Sequence, residues 1–506
     1  MSSNSAFSRI QQLKQTRALV DPRNPASIRH IVIVGGGSAG WMTAAALSNV
    51  LAGKCRITLI ESEAIGIVGV GEATIPSIRL LNQTMGLDER DFLRETQGTF
   101  KLGIHFVDWG SLGNRYFHPF GFLGNQFDEI AIHQHWLKNR TEPGIGTLDD
   151  YSLAWLAARE GRFSLPSPNP KLLSSTYNYA FHFDASLYAR HLRTLSTQRG
   201  VRRVEGTIIE VHRHSDTGFV AGLSLESGQR IDGDLFIDCS GFRSLLLGQT
   251  LGVDYVSWQQ WLPCDRAVAM PCALDGPPQP FTRSTAREAG WQWTIPLRHR
   301  VGNGYVFSSS FLDPVRAGDA LQAKLPGQAL GDPRMIEFKA GRRRNAWEKN
   351  VIALGLASGF LEPLESTSLH LVHSGITTLL TFFPDRYCHE AVRNEYNRRF
   401  AIEMERIRDF LILHYKLTTR DDTELWRYCS AMQVPDSLQA RLDLFRHGAH
   451  LQIDNYVLFG VESWLAVHLG QGNIPESHSP LLDIRQTDGR SALAALRKGL
   501  VDAAQA

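Results

Sequence analysis

The sequence predicts an α/β fold in three parts: a Rossmann-like nucleotide-binding core, a mixed β-sheet region set into that core, and a mostly helical C-terminal region. Three patterns carry the prediction. Near the N-terminus an apolar run, a glycine-rich turn, a helical stretch and a second apolar run form a βαβ unit. Between about 200 and 310, strand-length apolar and alternating runs recur. From 387 to 448 the spacing becomes helical, with Arg- and Glu-rich faces.

The elements follow in chain order. Residues 1–28 are polar and end near the turn-rich Asp21-Pro22-Arg23-Asn24-Pro25, so they read as a weakly ordered arm. His30-Ile31-Val32-Ile33-Val34 is an unbroken apolar run, the pattern of a buried parallel strand. Gly35-Gly36-Gly37-Ser38-Ala39-Gly40 follows, then a helical stretch from Trp41 to Leu47. A second strand runs from Arg56 to Ile60 and ends at Glu61. Helical patterns surround Pro76 and cover 88–98. Strands are expected at 103–108, 204–211, 218–225, 230–237, 266–273, 291–297, 303–310 and 351–354. A helix is expected to start at Asp184, whose carboxylate can cap the Ser186 and Leu187 amides. Another should run from about 368 to 383. Segments near 234–244 and 351–367 complete the nucleotide unit, so the core is discontinuous. The expected division is an arm over 1–28, a core with its inserted sheet over 29–383, and a helical region over 384–506.

Composition excludes several classes. The 53 basic and 51 acidic residues nearly cancel, so nothing points to nucleic acid or an anionic membrane. The polar N-terminus holds no apolar signal segment, and no run reaches the roughly 18 apolar residues of a membrane span. A soluble cytoplasmic protein is the expectation. Cys55, Cys239, Cys264, Cys272, Cys388 and Cys429 show no C-x-x-C spacing, so buried reduced thiols are expected and no metal site.

The glycine turn satisfies G-x-G-x-x-G. Gly35 permits the tight turn, Gly37 lets a pyrophosphate approach the backbone, and Gly40 allows close helix–sheet packing. The helix N-terminus supplies partial positive charge, and Glu61 can accept ribose hydroxyls. The strand–turn–helix–strand–acid context gives the motif its weight. Two later strand–turns, Asp234 to Gly241 and Leu354 to Gly359, favour FAD over NAD(P). Flavoproteins of the hydroxylase type use a distant strand–turn to hold the ribityl chain and flavin. Asp238 and Gly355 read there as backbone-turn devices more than as chemical groups.

Four further motifs occur in order: Gly69-Val70-Gly71-Glu72-Ala73-Thr74-Ile75-Pro76; Phe100-Lys101 before Gly103-Ile104-His105-Phe106; Trp291-Gln292-Trp293-Thr294-Ile295-Pro296, which fits W-x-W-x-I-P; and Phe360-Leu361-Glu362-Pro363-Leu364-Glu365-Ser366-Thr367. Together they resemble the flavin-dependent tryptophan halogenase family, from about residue 29 to about 430. The resemblance implies an enzyme that uses FADH2, dioxygen and bromide or chloride to form hypohalous acid. That acid would be guided through a tunnel to a lysine and would halogenate an indole or similar ring. No second nucleotide fingerprint is present, so a separate NAD(P)H flavin reductase is the expected partner, with the chain a monomer or homodimer. The expected cofactor residues are Gly35, Gly37, Ser38, Ala39, Gly40, Glu61, Ala73, Asp238, Gly355 and Leu356.

By the same resemblance Lys101 is the lysine that holds the halogen, and Glu365 the carboxylate that polarises it or accepts the ring proton. Read alone, Lys101 could be a solvated surface lysine, and Glu365 or Glu362 could cap a helix. Halide is expected at the Thr367 and Ser368 amides. Tryptophan-specific members carry glycine where this chain has Ser368, which suggests a changed halide preference. Trp291 and Trp293, spaced to share a strand face, are core aromatics or the wall between flavin and substrate. His118 and Phe120, within Tyr116-Phe117-His118-Pro119-Phe120-Gly121, are expected to line the substrate pocket or to form a packed loop cluster. Residues 440–475 lack the Tyr/Trp-rich lid of tryptophan-specific members. Trp464 there is a pocket aromatic or a core one. An aromatic monooxygenase is the alternative enzyme; a silent flavoprotein is the non-enzymatic one.

Overall fold

Strand His30–Val34 is buried along its length within a six-stranded sheet. It pairs in parallel with Leu235–Asp238 on one side and Arg56–Glu61 on the other. Val351–Ala353 and Arg202–Glu205 extend the parallel sheet, and Trp347–Glu348 adds an antiparallel edge. An unbroken apolar run suits this place, because a strand covered on both faces needs no polar alternation. The computed structural model describes residues 24–62, 71–123, 129–451, 458–485 and 488–505. Residues 1–23 of the expected arm, and Gly69 and Val70, lie outside the described residues.

The chain divides into two compact units, each drawn from three stretches. The first takes the chain up to Gly98, then Phe183–Gln260 and Phe338–Glu405. The second takes Thr99–His182, Trp261–Glu337 and everything from Arg406. The nucleotide sheet needs strands from 30–61, 202–238 and 347–353, which explains why the rest is interrupted. The expected division at 383/384 falls inside the first unit, and the long helix Glu390–Lys416 runs past its end at Glu405.

Within the first unit, helix Ser38–Leu51 follows the glycine turn. The Asp184 carboxylate caps helix Ala185–Gln198 through the amides of Ser186 and Leu187, at 2.9 and 3.1 Å, as expected. Two expected strands are each divided. Arg202–Glu205 joins the parallel sheet while Ile208–Arg213 pairs with Val220–Leu225, and Arg230–Asp232 parts likewise from Leu235–Asp238. Val32, Phe236, Leu223 and Leu246 belong to one hydrophobic core here.

The second unit is built on a seven-stranded sheet: Arg334–Glu337, Arg266–Ala269, Val301–Phe307, Gly290–Pro296, Thr282–Arg287, Gly103–Val107 and Arg115–Pro119. Only Thr282–Arg287 with Gly103–Val107 is parallel. The Tyr116–Pro119 stretch, expected as a loop, is an edge strand. Its aromatics favour pleated backbone, and Pro119 ends it, where a missing N–H costs little. After 387 the described chain is mostly helical, as expected. All six cysteines are buried and unbridged. Among the described residues no helix is long and apolar enough to cross a membrane.

Candidate active site

The first unit gathers the expected cofactor residues, Ala73 excepted, at the carboxyl ends of neighbouring parallel strands. Val34 lies beside Ile60 and Asp238, and Asp238 beside Ala353. That edge of an open α/β sheet is where nucleotides bind. Each glycine fits its expected role. Gly35 has φ +111°, and a Cβ there would sit 2.3 Å from the Cys239 carbonyl oxygen. A Cβ on Gly40 would sit 1.9 Å from the Gly35 carbonyl oxygen, so helix and turn touch. A Cβ on Gly37 would meet nothing within 4 Å, leaving its backbone open to a pyrophosphate. The turn therefore fits the diphosphate of FAD. Glu61 ends its strand, takes an ion pair from Arg203, and accepts from Trp41 Nε1 at 3.2 Å. Any ribose hydroxyl would share that carboxylate with them.

The other two turns close around the first. Asp238 is fully buried and accepts from Ser240 N and Oγ, Leu246 N and Leu247 N, at 2.5–3.1 Å. All its bonding capacity shapes its own turn, the role the sequence suggested. Gly355, at φ +63°, brings the third turn against Ala39; a Cβ there would lie 2.9 Å from the Ala39 Cβ. Leu356 sits in the short helical turn Gly355–Ala357. Ala73 is buried in strand Gly71–Ala73. Beside it, burial pushes the Glu72 carboxyl up to about 7.

Glu362 and Glu365 flank the turn Pro363–Glu365, and both are buried. Ser366 takes a left-handed conformation and turns the chain into helix Ser368–Thr381. Thr367 is the N-cap residue, and its own side chain makes no capping hydrogen bond. The first amides of a helix have no intrahelical acceptor, so the Thr367–Ser368 turn suits an anion. Thr367 Oγ1 is also buried with no hydrogen-bond partner.

In the second unit, Lys101 ends the short strand Thr99–Lys101 and is wholly buried. The solvated-lysine reading is excluded. Its ammonium lies 5.1 Å from the centre of the Phe120 ring, which brings together two expected site residues. The backbone beside it is clamped: Leu102 N–H donates to Pro280 O, and Phe120 N–H donates to Leu102 O, both at 2.8 Å.

Sheet register places the aromatics. Ser284 pairs with Phe106 and Trp293, Phe106 with Tyr116, and Ala286 with Trp291. Opposed residues share a face and alternate residues return to it, so His118, Ser284, Trp291 and Trp293 lie on one face. Trp291 and Trp293 are buried, with ring centres 6.1 Å apart. The Trp293 ring lies over Gly304, where a Cβ would come within 2.0 Å, and its Nε1 is buried without a partner. His118 is buried, bonded through Nε2 to Ser463 Oγ at 2.9 Å, and faces the rings of Phe410 and Phe459. Trp464 is buried against Phe410 and under Arg441.

Sequence reasoning missed several residues near these. His182 is buried beside Lys101, on strand Ala180–Asp184, which the apolar pattern alone did not separate from its surroundings. Ser463, Phe410 and Phe459 approach His118 from far along the chain. His370, in the first turn of helix Ser368–Thr381, bonds Ser77 Oγ at 2.9 Å and Glu403 Oε1 at 3.0 Å. No local motif announces these partners.

Comparison with known proteins gives one answer. The tryptophan halogenase family model matches residues 30–487. A tryptophan 6-halogenase, SttH of Streptomyces toxytricini, is 36% identical over 490 residues, covering 92% of each chain. Among solved structures, BrvH, a flavin-dependent halogenase from Brevundimonas sp. BAL3, superposes with a TM-score of 0.91 at 45% identity, covering 96% of this chain and 97% of that one. Xcc4156, a flavin-dependent halogenase from Xanthomonas campestris, gives 0.90 at 46% identity, covering 95% of each.

Proposed function

Because the chain belongs to the tryptophan halogenase family, we propose that it halogenates an indole or a comparably electron-rich aromatic ring, with FADH2 supplied by a separate NAD(P)H flavin reductase. Members of this family are enzymes that use reduced flavin and halide; the similarity favours this chemistry over hydroxylation. When bound, reduced FAD would supply two electrons to dioxygen, and the peroxide-level oxygen so formed would oxidise halide to hypohalous acid. The observation that carries the reading is Lys101, a cation buried to zero exposure against Phe120. Burying an ammonium costs several kcal/mol, so a chain that keeps one inside has a use for it.

The residues divide the work as follows. Gly35, Gly37, Ser38, Ala39 and Gly40 bind the FAD diphosphate, Glu61 the ribose, and the turns at Ala73, Asp238, Gly355 and Leu356 shape the rest of the cofactor site. The Thr367 and Ser368 amides bind halide. The Ser368 hydroxyl adds a group at that turn, which supports a preference for bromide. Lys101 holds the halogen by hydrogen bonding to hypohalous acid, or its neutral amine takes the halogen and releases water. Either way an electrophilic halogen gains a fixed position. Glu365 accepts the proton the ring loses. His118, Phe120, Trp291 and Trp293 contact the aromatic substrate, whose flat faces suit such rings.

The test is mass spectrometry of indole incubated with the protein, FAD, a flavin reductase, NADH, and either bromide or chloride. A mono-halogenated indole that is lost in Lys101→Ala supports the proposal and ranks the halides. A hydroxylated indole, or halogenation that survives in Lys101→Ala, overturns it.

A further inference from the structure

His182 lies across from Thr99 in an antiparallel pair, while Lys101 lies across from Ala180. Opposed and alternate residues share a face, so Thr99, Lys101, Ala180 and His182 form one patch. The small Ala180 leaves room for the lysine stem. Phe100 and Phe181 point the other way, and Phe100 stacks there on Phe163 at 3.8 Å.

The hydrogen bonds around His182 fix its Nδ1 end as a donor. Thr99 Oγ1 lies 2.7 Å from the Pro296 carbonyl, which can only accept, so the hydroxyl proton goes there. Thr99 Oγ1 is also 3.1 Å from His182 Nδ1, so it accepts from an Nδ1–H. A neutral imidazole then offers Nε2 as an acceptor, and Thr282 Oγ1, 2.9 Å away, donates to it. The chain reads Thr282 to His182 to Thr99 to Pro296, and both ring nitrogens are used. Burial first, and the charge of Lys101 second, hold the imidazole well below its ordinary proton affinity.

This chain ties four strands together, His182 standing on Ala180–Asp184. Pro296 ends the W-x-W-x-I-P strand, Thr282 opens the strand beside it, and Thr99 lies two residues before the lysine. We propose that His182 is the positioning residue of Lys101: an imidazole that ties Thr99 of the lysine strand to Thr282 at the start of the neighbouring strand and holds the Thr99 hydroxyl turned toward Pro296. The inference rests on the reading of Lys101 as the halogen-holding group. His182 itself, with both nitrogens occupied, touches no reacting atom.

Two variants and one control test it. His182→Phe keeps the ring volume and loses both bonds, whereas His182→Asn keeps a donor near the Nδ1 position. With indole, His182→Phe is expected to lower kcat for halogenation at least tenfold, with KM within about twofold of wild type. Hypohalous acid caught by a β-diketone scavenger should be unchanged, because its formation precedes the lysine. His182→Asn should recover to within threefold of wild type. Crystal structures carry the same test without a substrate: the Lys101 amine stays over Phe120 in wild type and His182→Asn and leaves it in His182→Phe. Wild-type kcat in His182→Phe, equal losses in both variants, or an unmoved lysine in all three overturns the inference. Lys101→Ala separates the two claims: if it still halogenates, the lysine reading fails first.

Discussion

Replacing Lys101 by methionine separates a functional lysine from a structural one. The ammonium is wholly buried, and its contact with Phe120 at 5.1 Å is a cation–π pair worth about 2 kcal/mol when desolvated. Against that stands the cost of keeping a charge out of water, several kcal/mol after relaxation. Methionine is unbranched, near the same length, and packs well against a ring. The substitution keeps the packing against Phe120 and removes the charge together with both its interactions and its desolvation cost. The expected outcome is a folded protein whose stability changes by less than about 3 kcal/mol, with halogenation reduced by about 10² or more. Urea unfolding followed by circular dichroism reads the first quantity, and mono-halogenated indole per bound FAD reads the second. A loss of stability above about 3 kcal/mol would refute the reasoning, because the ammonium would then be holding the fold together. Halogenation at the wild-type rate would refute it from the other side.

Further outcomes follow from the same geometry. Gly37→Ala should leave thermal stability unchanged and weaken FAD binding about tenfold or more by titration, because its Cβ enters open space. Gly35→Ala should instead destabilise the apoprotein by about 1–3 kcal/mol, since its Cβ would strike the Cys239 carbonyl at positive φ. Glu365→Gln should cut halogenation by about 10² while FAD still binds, and Glu362→Gln should cost less than fivefold; the reverse ranking in steady-state assays would move the role to Glu362. Burial holds His373 down to about 3, so the folded state refuses a proton that the unfolded chain takes below about 6.5. Its contribution to stability is intact above pH 6.5 and is lost as the pH falls towards 3. His373→Leu should therefore reduce the pH slope of stability by up to about 1.4 kcal/mol per pH unit between pH 6 and 4, measured by urea unfolding.

What was legible in the sequence was local. The glycine turn, its flanking apolar runs and Glu61 are contiguous, and the constraints on them act within a few residues: a positive φ, a close carbonyl, a strand covered on both faces. The Asp184 cap was legible for the same reason, because its acceptors lie two and three residues on. The four ordered motifs carried the family. The sequence alone left Lys101 open between a solvated and a buried place, because burial depends on partners from elsewhere in the chain. It treated the Tyr116–Pro119 stretch as a loop, because pairing with Gly103–Val107 is what makes it a strand. It set a division at 383/384 where helical spacing begins, although compactness follows contacts between distant stretches.

Tertiary structure alone decided the company each group keeps. Thr99 reaches Pro296 across 197 positions, His182 reaches Thr282 across 100, and His118 reaches Ser463 across 345. A sheet register fixes such pairs, and a slip of one residue would turn each of them to the opposite face. The sequence determined which chemical groups this protein owns and the backbone turn that fits a cofactor's diphosphate. The pairing of strands far apart in the chain decided that the lysine is buried, that His182 lies on the same face beside it, and that both tryptophans share a face with His118.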